Sequence, residues 1–391
     1  MMFPENEVKR ELTERIIPFW NGLRDNEKGG FYGSVDYELS VNKAADKGCI
    51  LHSRILWFYS NAYMLLKDRT LLENARHAYE FITSKCIDLQ RGGIFWSVTA
   101  DGVPADTQKH TYNQAFAVYA LSSYYAASGD KTALDKALAL YDIIETKCRD
   151  DGGYLEAFDA EWKPFANDKL SENGVMADRT MNTLLHVMEA YTELYRVSED
   201  ERVKDRLEWI LGEFADRVYI PEKRQLGVFF DFDMNSLIDL HSFGHDIEAA
   251  WLIDRSCEVL GNAALTEKMS KITAALEERI YETALSDGHI NNECCKGVVD
   301  TRRVWWIQAE GVVGFYNAWQ KRPEKTEYFE TASGLWEYIK KYIIDERSGE
   351  WFNELISEEQ PDKTLEMAGE WKCPYHNGRM CIEMIRRCSA Q

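Results

Sequence analysis

GGFYGSVD at residues 29–36 decides the fold, because altered copies return as GGIFWSV at 92–98, GGYLEAF at 152–158, LGVFFDF at 226–232, DGHINNE at 287–293 and SGEWFNE at 348–354. Most copies set a glycine beside aromatic and acidic residues. Successive copies stand roughly 60 to 75 residues apart, the length of two helices plus a short hairpin. The chain therefore reads as six copies of one supersecondary unit, arranged as a closed ring of helical hairpins.

Working outward from the glycines, the run before a copy carries one apolar stripe, as in Leu72, Ala75, Tyr79, Ile82 and Cys86, or Leu134, Ala137, Tyr141, Ile144 and Cys148. Alternating spacings of three and four describe a helix with one buried face. Well after each copy comes a run that is apolar or aromatic on most sides: RILWFYSNAYMLL from Arg54, YNQAFAVYALSSYYAA from Tyr112, MNTLLHVMEAYTELY from Met181, HDIEAAWLIDRSCEVL from His245, VWWIQAEGVVGFYNAW from Val304 and NGRMCIEMI from Asn377. Such helices are buried by their neighbours and by an outer layer. Six outer and six inner helices in alternation predict an all-α fold, an (α/α)6 barrel with short β-hairpins at one end. Every inner helix then starts at that end, where the positive helix termini converge and favour an anionic intermediate.

A repeat architecture shares one continuous core, so the 391 residues read as a single domain, 1–391. With 46 Lys and Arg against 66 Asp and Glu, the net charge of −20 opposes a nucleic-acid or anionic-membrane partner. No stretch approaches the roughly 20 apolar residues of a membrane span, and the N-terminal sequence lacks a signal-peptide pattern, so a cytoplasmic protein is expected. The nine cysteines are odd in number and lie largely on apolar helical faces, which predicts reduced core thiols. Neither a phosphate-binding loop nor a dinucleotide fingerprint occurs, so no cofactor is implied.

The first turns of the inner helices bring Arg54, Tyr112, Asn182, His186, His245, Glu248, Trp306 and His376 to one mouth, with Trp371 nearby. Each has an ordinary reading as a cap, a core hydrogen-bonder or a surface pair, and His52, His77 and His289 fit that reading best. Convergence from six separated segments argues against packing alone. His241, His245 and Glu248 invite a metal, yet the zincin pattern needs a glutamate directly after the first histidine, where Ser242 stands, and the helix is expected to begin only near His245. No metal is therefore assigned. In a chain with 12 Trp and 20 Tyr, loop aromatics at a mouth suit stacking on sugar faces. Two imidazoles facing each other across a sugar carbon suit removal of a proton α to a carbonyl on one face and its return on the other. Arg54 and His186 would hold the enediolate oxygen, and Glu248, one turn after His245, would orient that imidazole.

At these residues the sequence resembles the N-acylglucosamine 2-epimerase superfamily, and within it the cellobiose 2-epimerases. The segments that carry the likeness are ADKGCILHSRILWFYSNAYM, KHTYNQAFAVYALSSYY, MNTLLHVMEAYTELY, SFGHDIEAAWLIDR, TRRVWWIQAEGVVGF and WKCPYHNGRMCIEMI, spread over essentially the whole chain. The resemblance implies cofactor-independent C2 epimerisation of the reducing-end glucose of β-1,4-linked disaccharides or oligosaccharides, such as cellobiose and lactose. By the same resemblance, His245 and His376 are the acid/base pair, Arg54 and His186 support the enediolate, and Glu248 assists His245. Trp306 and Trp371 hold the sugar rings, and Tyr112 and Asn182 line the site. An aldose–ketose isomerase and an N-acylglucosamine 2-epimerase use similar histidines and stand as alternatives. More remote are a glycoside hydrolase on this barrel, which would need two carboxylates across the scissile bond, and a non-catalytic sugar-binding barrel.

Overall fold

A computed structural model describes residues 2–165, 167, 169–171, 173–357 and 360–389. Among the described residues, twelve helices alternate between two rings. The outer ring holds α1 (residues 5–22), α3 (69–86), α5 (Lys131–Lys147), α7 (201–218), α9 (Ala263–Thr283) and α11 (326–343). The inner ring holds α2 (Cys49–Leu66), α4 (Thr111–Ser128), α6 (Met181–Ser198), α8 (Phe243–Leu260), α10 (Trp305–Lys321) and α12 (His376–Ser389). Each inner helix packs on the next, and α12 returns to α2, so the ring closes as the repeat predicted. Inner helices are buried on nearly all sides for most of their length, while outer helices bury one stripe; Leu71, Ala75, Ala78, Tyr79 and Ile82 do so on α3. All nine cysteines are free thiols, six of them buried.

The turn from inner to outer helix repeats one local solution four times. An inner helix ends on a left-handed residue, Lys67, Gly129, Glu199 or Gly261, with φ of 59°, 73°, 53° and 65°. Next comes an Asp or Asn whose side chain caps the outer helix: Asp68 accepts from the Thr70 amide, Asp130 from Thr132, Asp200 from Arg202 and Asn262 from Leu265. Such a cap contributes about 1 kcal/mol. These turns lie at the end away from the mouth, leaving the longer connections to build the mouth.

At the mouth the hairpins are clamped by ion pairs, buried in three units and half-exposed at Asp150. Asp25 Oδ1 accepts the amides of Glu27 and Lys28, while Oδ2 takes the fully buried Lys47 ammonium at 2.7 Å. Lys47 also reaches the Gly29 carbonyl at 2.7 Å, so it ties the turn to the segment entering α2. Asp88 and Lys109 repeat the arrangement, Arg179 replaces the lysine opposite Asp150, and Lys372 pairs with Glu350 in the last unit. A residue in the first turn of the inner helix then holds the strand after the glycines. His52 Nε2 accepts the Phe31 amide at 2.9 Å, and Gln114 and Gln308 bond both backbone groups of Ile94 and Ile290. His52 is thus a structural histidine.

The strands also do something the repeat did not predict. Rather than staying within one unit, the residues entering an inner helix pair antiparallel with the strand of the next unit: Lys47–Gly48 with Ser97–Val98, Lys109–His110 with Ala157–Phe158, Arg179–Thr180 with Phe229–Phe230, Leu240–Ser242 with Glu293–Cys295, and Arg303–Val304 with Glu354–Ser357. A bridge between Val35 and Ala368 completes the circuit, with the Val35 amide 2.8 Å from the Ala368 carbonyl. The mouth is therefore rimmed by a stitched girdle, and the inner-helix starts are held in fixed register around it.

Candidate active site

Within the girdle lies a cavity of about 790 Å³, and all nine residues expected at the mouth line it: Arg54, Tyr112, Asn182, His186, His245, Glu248, Trp306, Trp371 and His376. Three polar side chains reach it from the sixth position of their helices, namely Arg54, His186 and Glu248, and the sixth residue of α10, the unforeseen Glu310, lies behind the wall. Helix α8 begins at Phe243, two residues earlier than expected, and His376 is the first residue of α12 rather than a residue ahead of it.

Arg54 is buried under aromatic rings. Its guanidinium lies 4.4 Å from the Phe116 ring centroid and 5.1 Å from that of Tyr375, and Nη2 donates to the Tyr112 hydroxyl at 2.7 Å. His186 sits edge-on to Tyr112, with its Nδ1 2.9 Å from Glu189 Oε2. His376 places Nδ1 2.7 Å from Glu310 Oε1. A carboxylate facing Nδ1 fixes the proton there and leaves Nε2 with its lone pair in both rings. His245 is held differently, by the Ser242 hydroxyl at 2.7 Å from Nδ1. A hydroxyl can donate or accept, so this ring is free to take either tautomer. Both His245 and His376 pack on Trp306, with ring centroids 4.9 and 5.3 Å from it. Their separation cannot exceed the two distances combined, inside the roughly 12 Å within which two groups can flank one carbon.

Behind these rings stands a buried cluster that sequence reasoning missed. Arg379 of α12 donates through Nη1 to Glu189 and through Nη2 to Glu248 and Glu310, the last at 2.7 Å. Tyr375 donates to Glu189 at 2.6 Å and Trp251 Nε1 to Glu310 at 3.0 Å. Glu248 therefore serves Arg379, not His245; the i,i+3 pairing expected for it fails because Ser242 intercepts the imidazole and α12 supplies a stronger partner. Burial raises the Glu189 carboxyl, but Arg379 and the bonds from His186 and Tyr375 outweigh it, leaving a value of about 2. Glu248 goes the other way, to about 8, through burial and then the neighbouring Glu310 charge, only partly offset by Arg379. Burial lowers all three imidazoles, His245 to about 3, so each is neutral near pH 7.

Ligand atoms of Glu248, Glu310 and His376 lie within 4.8 Å of one another, the set best able to share a cation among the described residues. The Arg379 guanidinium already bonds both carboxylates, so a side chain takes the counter-cation's place. His241 turns away to Asp246 at 2.9 Å and shares nothing with His245. One signal could have exposed the cluster: Glu310 has the same helical register as Arg54, His186 and Glu248. Trp371, 37 % exposed, stands at the outer edge beside Trp96 and Tyr112, a platform for an apolar sugar face.

Residues 30–378 match the family model for N-acylglucosamine 2-epimerase. A cellobiose 2-epimerase of Ruminococcus albus is 54% identical over 383 residues, covering 98% of each chain. One from Eubacterium cellulosolvens is 49% identical over 397 residues and 97% of each. The solved cellobiose 2-epimerase of Bacillus thermoamylovorans superposes with a TM-score of 0.94 at 45% identity, covering 98% of this chain and 99% of that one.

Proposed function

Because the chain belongs to the N-acylglucosamine 2-epimerase family and is a carbohydrate epimerase of the isomerase class, we propose that it inverts C2 on the reducing-end glucose of β-1,4-linked disaccharides. Cellobiose would become 4-O-β-D-glucosyl-D-mannose, and lactose epilactose. Carrying the reading is one observation: two neutral imidazoles with different Nδ1 partners share the Trp306 ring at the head of one cavity. Once the sugar is open, the C1 aldehyde makes the C2 hydrogen acidic. His376, its Nδ1 proton engaged by Glu310, takes that hydrogen through Nε2. Charge developing on O1 is met by Arg54 and His186 in a buried setting where such contacts are strong. The enediolate turns between the rings, and His245, whose hydroxyl partner permits either tautomer, returns a proton to the opposite face. Trp306 and Trp371 carry the two sugar rings, with Tyr112 and Asn182 along the wall. No cofactor enters this scheme, and residues 1–391 act as one catalytic domain.

Incubation with cellobiose in D2O tests it. Deuterium at C2 of a mannose-ended disaccharide is the expected result. Deuterium at C1 of a ketose would give an aldose–ketose isomerase instead, release of monosaccharides a hydrolase, and binding without turnover a sugar-binding barrel.

A further inference from the structure

One buried polar atom of a cavity-lining residue has no task in the two-base scheme. Glu248 is 1 % exposed and lines the cavity, and its Oε2 has no hydrogen-bond partner among the described residues. A buried carboxylate oxygen left unpaired is costly, and such orphans call for an explanation. Three carboxylates, Glu189, Glu248 and Glu310, share the single charge of Arg379. The imidazoles beside them are neutral, so the cluster must hold a further proton to limit its negative charge. Glu189 and Glu310 each accept additional N–H or O–H bonds on their oxygens, which favours their ionised forms. Glu248 has only Arg379, on Oε1. The extra proton therefore belongs on Glu248 Oε2, in keeping with the raised value of that carboxyl. A carboxylic acid kept neutral by its surroundings is a ready donor to a substrate oxygen.

We propose that Glu248 Oε2 is the general acid that opens the sugar ring before epimerisation. This rests on the epimerase reading, since a C2 proton is acidic only once the C1 aldehyde is free. In the step, the O1–H proton passes to the nitrogen of His186 that Glu189 does not engage, and the O–H pair forms the C1=O1 bond. The C1–O5 bond breaks with its electrons going to O5, which takes the proton from Glu248. No electrons are gained or lost overall. The products are an open aldehyde, a Glu248 carboxylate against Arg379, and a His186 imidazolium beside O1. That imidazolium and Arg54 then stand where the enediolate charge develops, and ring closure reverses both transfers.

The test is the Glu248→Gln enzyme, which keeps the shape and a neutral donor but has no proton to give. Exchange between the α and β anomers of cellobiose, followed by NMR saturation transfer, reports ring opening directly, and tryptophan fluorescence reports cellobiose binding. Wild-type enzyme is expected to accelerate anomer exchange. E248Q is expected to bind within about threefold of wild type yet lose at least about 100-fold of that acceleration, the lower range for a general acid. Retained anomer exchange in E248Q would overturn the assignment, as would no acceleration by wild type. Loss of binding together with exchange would also overturn it, making Glu248 a structural partner of Arg379. Deuterium at C2 in the wild-type product is scored separately. Anomer exchange without C2 labelling would remove the epimerase reading and leave Glu248 as a ring-opening acid.

Discussion

Replacing Arg379 with methionine keeps the length of the side chain and removes the one cation among Glu189, Glu248 and Glu310. All three carboxyls and the guanidinium are buried, so the deletion exposes nothing to water that could compensate. Breaking a buried pair from one side costs about 3 to 5 kcal/mol. Protonation gives a similar figure by a separate route. Glu189, held at about 2 by Arg379 and its hydrogen bonds, would have to take up a proton to stay buried. Holding a carboxyl neutral at pH 7 against an unfolded value near 4.3 costs about 3.7 kcal/mol. In the variant the folded carboxyl is raised above its unfolded value, so its contribution is most favourable below about pH 4 and is lost as pH rises through the folded value. The R379M deficit should thus shrink by roughly 1.4 kcal/mol for each unit of acidification between pH 7 and pH 5. Urea denaturation of both proteins at pH 5, 6 and 7 measures this. A deficit under about 1 kcal/mol at pH 7, or one that does not change with pH, would refute the idea that Arg379 balances this charge.

Three other outcomes are expected. His245→Ala and His376→Ala should each cost at least about 100-fold in epimerisation while cellobiose binding changes much less; a variant retaining a substantial share of turnover defeats the two-base scheme. Plotted as log kcat/KM, activity should bend downward as pH rises through about 8, where Glu248, faced by Arg379, Glu310 and Glu189, gives up its proton. A profile level to pH 10 argues against a protonated Glu248, and because His245 titrates at about 3, no acid limb from that ring should precede unfolding. Exhaustive chelation should leave turnover intact, since Arg379 occupies the place of a cation; activity lost and then restored by a divalent ion would contradict that.

Much of the fold was legible because the glycine segments recur at a near-constant interval and the inner helices lack a polar face. Both signals come from burial, which composition records directly. The two-residue strand pairs between neighbouring units were not legible, since segments such as Lys47–Gly48 and Ser97–Val98 are too short to show a period. Candidate site residues in the first turns stood out because polar groups at the head of an apolar helix are unusual. Glu189 did not, for it lies deeper in its helix, where a charged residue ordinarily reads as a solvated face, and Arg379, the fourth residue of α12, reads locally as an i,i+4 partner of Glu383. What makes them partners is a meeting of α6 with α12, 190 residues apart in sequence. The role expected for Glu248 failed for the same reason: a local i,i+3 relation was legible, and the rival from the far end of the chain was not.

The stitched girdle and the contact of α12 with α2 have a topological consequence. In an open array the terminal units differ from the rest because each lacks a neighbour, and their order along the gene matters. Here the first and last helices lie side by side, with the Ser389 hydroxyl 3.2 Å from Glu5 Oε1, so no unit is an end in space. Which unit comes first along the chain does not change which helices are neighbours. Joining the two helices through a short linker and opening the chain at the exposed Gly129 turn, on the side away from the mouth, would give a circular permutant with the same neighbours for every helix.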